Sequence, residues 1–408
     1  MIEPVFNFTQ VLQVDHGDTV SMSFFDCDRR RWFELLASPE CVPPASPEDE
    51  EEDVGVSEAL DVLKRYHRLL SPKVNAIQVD EKGLLVSVSC GNYITSPTAY
   101  PSMSSSAHLK TYPTIDVRDL VEIDRLYFCV DRVAPKSNPD KGVVFKYALL
   151  DAQAFRMWRE VNILSAIAPH PNILPLKSLV TDGGENDPRL LGFTTEFIPG
   201  GTLVENTSRR FKLKWLNQLI SAVDFLNMEM GVVNNDISPK NLLIDPSTDN
   251  LKLFDFNAAA TVAQDGSAYD LAGVILTMYE IVTHDFDFRD DNRRVWPENA
   301  IEVTGRKEWP VRGRLGCKVT TIRKRLVEWS KVQRTGGGDG PVVPPFVLAA
   351  ADEKTQTSEV KTETDGNKHT AEWDFNCWER PAQMKTVPSR RKRKTDSQDE
   401  EIDTSASE

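Results

Sequence analysis

The sequence predicts an α+β fold in which a small β-rich part precedes a mainly helical one, and three observations carry that expectation. Val143-Val144-Phe145-Lys146-Tyr147-Ala148 is a β-branched and aromatic run, the composition that strands favour. Ala152 to Ile167 follows with Phe155, Trp158, Val161, Leu164 and Ile167 close to helical period. Farther on, Phe211 to Met228 reads as a long amphipathic helix, and Tyr269 to Val282 is almost wholly apolar, as a helix at the centre of a domain is.

Taken in order, residues 1–112 hold strand-like runs at Val5 to Val14, Thr19 to Phe25 and Asn75 to Cys90, broken by Pro43, Pro44 and the acidic block Glu48 to Asp53. They are expected to form a β-rich accessory domain or an extension of the part that follows, with the acidic block a solvated loop. Serine-rich Ser96 to Ser106 reads as a linker. After the first helix come His170-Pro171-Asn172-Ile173, a strand through Leu191 to Glu196, and a hinge and turn into a helix at Phe197-Ile198-Pro199-Gly200-Gly201-Thr202-Leu203. Asn241 to Ile244 and Leu251 to Phe254 are two short apolar strands around a turn, and Thr320 to Val332 is the last helix. From about 335 to 408 the chain turns to glycine, proline, threonine and alternating charge, a composition that predicts disorder.

The most informative segment is Asn234-Asn235-Asp236-Ile237-Ser238-Pro239-Lys240-Asn241, followed fourteen positions later by Asp255-Phe256-Asn257. An aspartate, an asparagine five residues on, and a second aspartate after an apolar strand is how phosphoryl-transfer enzymes place a base and two magnesium ligands. A plain turn is the bland alternative, since Asn, Asp, Ser and Pro all favour turns. The surrounding landmarks, in one order across about 125 residues, decide between them. The chain resembles a protein kinase. Val144-Phe145-Lys146-Tyr147, Pro199-Gly200-Gly201-Thr202-Leu203, Lys212-Leu213-Lys214-Trp215-Leu216 and Leu253-Phe254-Asp255-Phe256-Asn257 are more narrowly similar to a divergent fungal protein-kinase-like group.

That resemblance implies a two-lobed protein-kinase-like fold: an N-lobe at about 113–197, a shortened C-lobe at about 198–334, an N-terminal extension over 1–112 and a tail over 335–408. It implies catalytic roles for Asp236 as base, Lys240 as a cation reaching the transferred phosphate, and the Lys146–Glu160 ion pair. ATP would be held by Lys146 on its phosphates and by Thr195, Glu196 and Ile198 around adenine. Mg²⁺ would be held by Asn241 and Asp255 through hard oxygen ligands, and Asp270 would brace the catalytic loop.

Departures from the pattern matter equally. Asn234 and Asn235 stand where the superfamily reads His-Arg, Ser238 where serine/threonine kinases usually have lysine, and Asn257 where most members have glycine, although the fungal group shares that asparagine. No glycine occurs in Arg125 to Val133, so Tyr127, Phe128 and Cys129 would lid a nucleotide more loosely than a glycine loop does. Only fourteen residues, Phe256 to Tyr269, separate the magnesium aspartate from Asp270, too few for a full activation segment. With Asn235 in place of the arginine, control by activation-loop phosphorylation is not expected. The resemblance therefore implies an ATP- and Mg²⁺-dependent phosphotransferase acting on a protein hydroxyl, serine or threonine first. A pseudokinase scaffold and a small-molecule kinase are the alternatives.

Composition adds exclusions. A net charge of −14 and a pI near 5.1 argue against nucleic-acid binding by the whole chain, which needs a basic face. Six cysteines without Cys-x-x-Cys spacing predict neither a zinc site nor a disulfide framework, and fit a reducing compartment. No basic, apolar leader opens the chain and no run reaches the ~18 apolar residues of a membrane span. An intracellular protein is expected, cytoplasmic or nuclear, the latter if Arg390-Arg391-Lys392-Arg393-Lys394 serves as an import signal. Partners beyond the nucleotide and an acceptor, and the use of the aromatic patch Trp373 to Trp378, are unreadable.

Overall fold

The computed structural model describes residues 8–15, 19–26, 31–42, 56–66, 74, 76–89, 100–105, 107–148, 151–182, 188–289 and 295–335. The acidic block at 48–53, the tail after 335, the patch at 373–378 and the basic run at 390–394 lie outside them. The described residues fall into two compact units, one within 1–94 and one within 95–378.

The first unit is a five-stranded sheet of β1 (Phe8–Asp15), β2 (Val20–Asp26), β3 (Arg31–Ala37), β4 (Ala76–Val79) and β5 (Leu85–Ser89), in that spatial order. All neighbours are antiparallel except β3 and β4, whose parallel pairing needs a crossover. Helix α1 (Val56–Tyr66) lies between them in sequence. Its Ala59, Val62 and Leu63 are buried with Val20, Met22, Phe24, Leu35 and Ile77 as a separate core, which satisfies the helix's apolar face at three- and four-residue spacing. The single strand-like run at 75–90 is in fact the hairpin β4–β5. Asp80 Oδ1 accepts from the amides of Lys82 and Leu84 at 2.9 and 2.8 Å, and Gly83 takes the left-handed conformation (φ 70°) that closes the turn.

In the second unit a six-stranded sheet runs β6 (Thr114–Asp116), β10 (Ser178–Thr181), β11 (Leu190–Glu196), β9 (Val143–Tyr147), β8 (Val130–Pro135), β7 (Leu120–Tyr127). Helix α2 (Asp151–Ala166) joins β9 to the His170–Ile173 turn. The second half of the expected linker is docked here instead: Tyr100 is buried and donates its hydroxyl to the Ala148 carbonyl at 2.7 Å, and Met103 joins this unit's core, as does Leu109 just beyond the linker. An aromatic ring and two apolar side chains gain too much by burial to remain a solvated tether.

One strand position tolerates no side chain. A Cβ on Gly192 would sit 2.2 Å from the Lys146 carbonyl oxygen, so β9 and β11 pair closely only because residue 192 is glycine. Gly192→Ala is expected to destabilise by about 2–3 kcal/mol, the scale of overpacking against backbone, read as a lower urea midpoint at unchanged slope.

The helical part contains α3 (Leu213–Asp224), which continues as a π-turn through Phe225–Glu229, then the short strands β12 (Val232–Val233), β13 (Leu242–Asp245), β14 (Asn250–Leu253) and β15 (Ala260–Thr261). Helices α4 (Val262–Asp265), α5 (Ala268–Thr283), α6 (Trp296–Gly305) and α7 (Val319–Thr335) complete it. From Ala272 to Val282, α5 is buried on nearly all sides, as its composition predicts. The helix expected straight after Gly201 is a turn at Leu203–Glu205, where Glu205 Oε2 accepts the Thr202 amide at 2.9 Å. Among the described residues no helix is long and apolar enough to cross a membrane.

Candidate functional site

Strand β9 and helix α2 supply the first pair. Successive strand residues face opposite ways, so Val143, Phe145 and Tyr147 go to the core while Val144 and Lys146 take the other face. Lys146 Nζ lies 2.6 Å from Glu160 Oε2 and 2.7 Å from Asp255 Oδ1. Glu160 is buried, and its other oxygen accepts the Phe256 amide at 3.0 Å. One glutamate thus ties strand, helix and the Asp255-Phe256-Asn257 turn together. Burial alone would lower the Lys146 pKa, but the carboxylates of Glu160 and Asp255 outweigh it and hold the ammonium charged. Burial pushes the Glu160 carboxyl up, against the opposing pull of Lys146.

Asp255 sits at φ 66°, in the left-handed region that is rare for a non-glycine residue and concentrated at functional turns. The turn is clamped from the Asn234–Asn241 loop: Asn234 Nδ2 donates to the Asp255 carbonyl at 2.9 Å while its Oδ1 accepts the Asp236 amide at 3.1 Å. An amide offers donor and acceptor at once, so the substitution at 234 preserves a link between loop and turn.

The loop itself hangs on Asp270 of α5. Its two oxygens accept the backbone amides of Asn234 (2.9 Å) and Asn235 (2.7 Å) and the Asn227 side chain (2.9 Å), all buried. Burial raises the Asp270 pKa, and these three donors oppose the rise. At the loop's other end, Asn241 Nδ2 donates to the Asp236 carbonyl at 2.8 Å and to its Oδ2 at 3.0 Å, with Lys240 Nζ 3.3 Å from the same oxygen. Asp236, Lys240 and Asn241 are therefore one cluster, and Lys146, Glu160 and Asp255 another.

Thr195 is buried near the end of β11, where the chain leaves the sheet through exposed Glu196 and buried Ile198. Asn241 uses its amide nitrogen on Asp236, so its side-chain oxygen and the carboxylate of Asp255 are the hard donors at these two positions. Among the described residues no cluster of three or more His, Cys, Asp or Glu forms a metal cage. A two-residue oxygen set fits Mg²⁺, which is commonly held by one or two protein groups together with substrate phosphates.

Several contributing residues escaped sequence reading. Arg289 pairs with buried Glu280 and donates to the Ile237 carbonyl (3.0 Å) and Thr277 Oγ1 (3.1 Å), pinning the middle of the Asn234–Asn241 loop to α5. Asn172 Nδ2 donates to the Leu251 carbonyl at 2.9 Å, so the His170–Ile173 turn fixes the strand leading to Asp255. Nothing near Arg289 in sequence signals this contact; Asn227, a lone amide on an apolar helix face, was the one readable hint.

Residues 136–287 match the protein kinase domain family, and over this segment the chain is similar to protein kinases. It is 33% identical over 143 residues to rice (Oryza sativa subsp. japonica) CBL-interacting protein kinase 14, covering 33% of this chain and 30% of that protein. It is 35% identical over 119 residues to glycogen synthase kinase 1 of Pyricularia oryzae (26% and 29% covered). The casein kinase II subunit alpha' of Saccharomyces cerevisiae is 30% identical over 108 residues (26% and 30%). The chain spans about 30% of the length of these relatives. The family match opens at Lys136, immediately after β8, so the glycine-free hairpin β7–β8 lies outside it.

Proposed function

We propose that the chain is an ATP- and Mg²⁺-dependent protein kinase, transferring the γ-phosphate to serine or threonine hydroxyls without an activation-loop phosphorylation switch. The observation that carries this reading is the double contact of Lys146 with Glu160 and Asp255, an arrangement a scaffold has no chemical reason to keep. Lys146 would hold the nucleotide phosphates, and Asp255 with Asn241 would hold Mg²⁺, which neutralises charge on those phosphates when bound. Asp236 would orient the incoming hydroxyl and accept its proton, and Lys240 beside it would steady the charge of the transferred group.

The missing switch rests on Asn235. Its Nδ2 donates to the Ala258 carbonyl at 3.2 Å and to Asp265 Oδ2 at 2.7 Å, so a neutral amide already fixes the short segment after Asp255. Phosphatase treatment is expected to leave the rate unchanged, whereas Asn235→Ala lowers it; a rate that collapses on dephosphorylation would contradict the assignment. The test of the function itself is transfer of labelled γ-phosphate from ATP to a mixed protein substrate, abolished by chelating Mg²⁺. The glycine-free hairpin, whose tip exposes Tyr127 at 76%, favours the second reading, a pseudokinase, and absence of any transfer with bound nucleotide would select it.

A further inference from the structure

The sheet register places an arginine where a nucleotide base would be roofed. Arg132 of β8 pairs directly with Val144 of β9, and Val144 pairs directly with Thr195 of β11. Residues directly opposite in antiparallel strands share a face, so Arg132, Val144 and Thr195 form one row, and Lys146, two residues from Val144, lies on the same face. The row therefore spans the sheet above the position proposed for adenine, between Lys146 and the hinge.

The arginine head is packed against its neighbours. Its guanidinium stacks on the ring of hinge residue Phe197 at 4.2 Å from the centroid. A Cβ on Gly142 would lie 2.9 Å from its Nε, so the glycine leaves the space that the head occupies. Within this packing Nε is buried and has no hydrogen-bond partner. A buried donor without an acceptor costs free energy, and one beside a hinge is met when a ligand brings the acceptor.

Resting on the kinase reading above, we propose that Arg132 is a base-binding residue: its planar cation, stacked on Phe197, meets the purine edge-on, so that its Nε–H donates to the base. It supplies from the roof some of the hold that Phe128 and Cys129 cannot supply to the phosphates through glycine amides. Arginine suits the task because its guanidinium both stacks and donates.

The experiment measures binding of Mg²⁺·ATP, adenosine and Mg²⁺·tripolyphosphate to the full chain by calorimetry, for wild type, Arg132→Met and Arg132→Lys. Methionine keeps the stem and removes plane and donor; lysine keeps charge alone. The expected result is a three- to tenfold weaker affinity for ATP and adenosine in both variants, with tripolyphosphate unchanged and the melting temperature of each unliganded variant within a few degrees of wild type. Equal or tighter ATP binding by Arg132→Met would overturn the proposal and make the residue a plug of the slot. Equal losses for tripolyphosphate would overturn it too, placing the effect on fold or phosphates. If wild type binds none of the three ligands, the kinase reading itself fails, and this inference with it.

Discussion

Asp270→Ala is expected to cost on the order of 4 kcal/mol of stability and to lower the melting temperature by roughly 10 °C. Asp270 is fully buried and is the acceptor for two backbone amides that have no other partner in the loop, those of Asn234 and Asn235. Each buried donor left without an acceptor costs about 1–3 kcal/mol, and the vacated volume adds to it. For a unit of this size 1 kcal/mol corresponds to about 2–4 °C. Asn235 is held at φ 63°, a left-handed conformation that asparagine tolerates better than most residues, so the loss falls on the orphaned amides rather than on backbone strain. Asp270→Asn keeps one acceptor oxygen and should lose about half as much. Denaturant unfolding checks both; a loss under 1 kcal/mol for the alanine variant would show that Arg289 and Thr277 hold the loop unaided.

The second large effect falls on chemistry. Asp236→Asn is expected to slow phosphate transfer by a factor of about 10²–10⁴, the usual worth of a positioned general base, while nucleotide affinity stays within twofold. Asp236 is in the cluster with Lys240 and Asn241, whereas the nucleotide contacts proposed above are with Lys146, with Asp255 and Asn241 through Mg²⁺, and with the hinge, so Asp236 touches them only through the Asn241 amide, which asparagine at 236 can still accept. Rate and affinity should therefore separate. Equal losses in both would assign Asp236 a structural part, through the hydrogen bonds it shares with Asn241.

The parts of the fold that were legible are those where composition and period coincide. Lys146 was readable because a lone lysine in a β-branched run must put its ammonium on the polar face of the strand, and Glu160 because it lies in a helix of clear period one connection later. Asp236, Asn241 and Asp255 stood out by their spacing, and the surrounding landmarks and the resemblance to kinases gave that spacing a meaning. What stayed hidden depends on contacts between distant segments: Arg289 reaches back to Ile237, and Asn172 to Leu251, with no local pattern to announce either. Asn234 reads as a departure from the family pattern in sequence and is a bridge in space, since an amide's donor and acceptor serve two backbone partners. Helix α1 was missed because an acidic block precedes it and strands surround it, although Ala59, Val62, Leu63 and Tyr66 carry the helical period. Tyr100 and Met103 were lost in a serine-rich stretch that reads as linker until its few apolar side chains find a core.

The most direct test of the central claim is thermal unfolding of the full chain with and without ATP, each with and without Mg²⁺, for wild type and Asp255→Asn. A ligand bound only by the native state stabilises it by about 2.7 kcal/mol at a hundredfold excess over its dissociation constant. The expected result is a rise in melting temperature that requires Mg²⁺ in wild type and vanishes in Asp255→Asn. A shift that is independent of Mg²⁺, or that survives in the variant, would contradict the role given to Asp255, and no shift at millimolar nucleotide would contradict the nucleotide site as a whole.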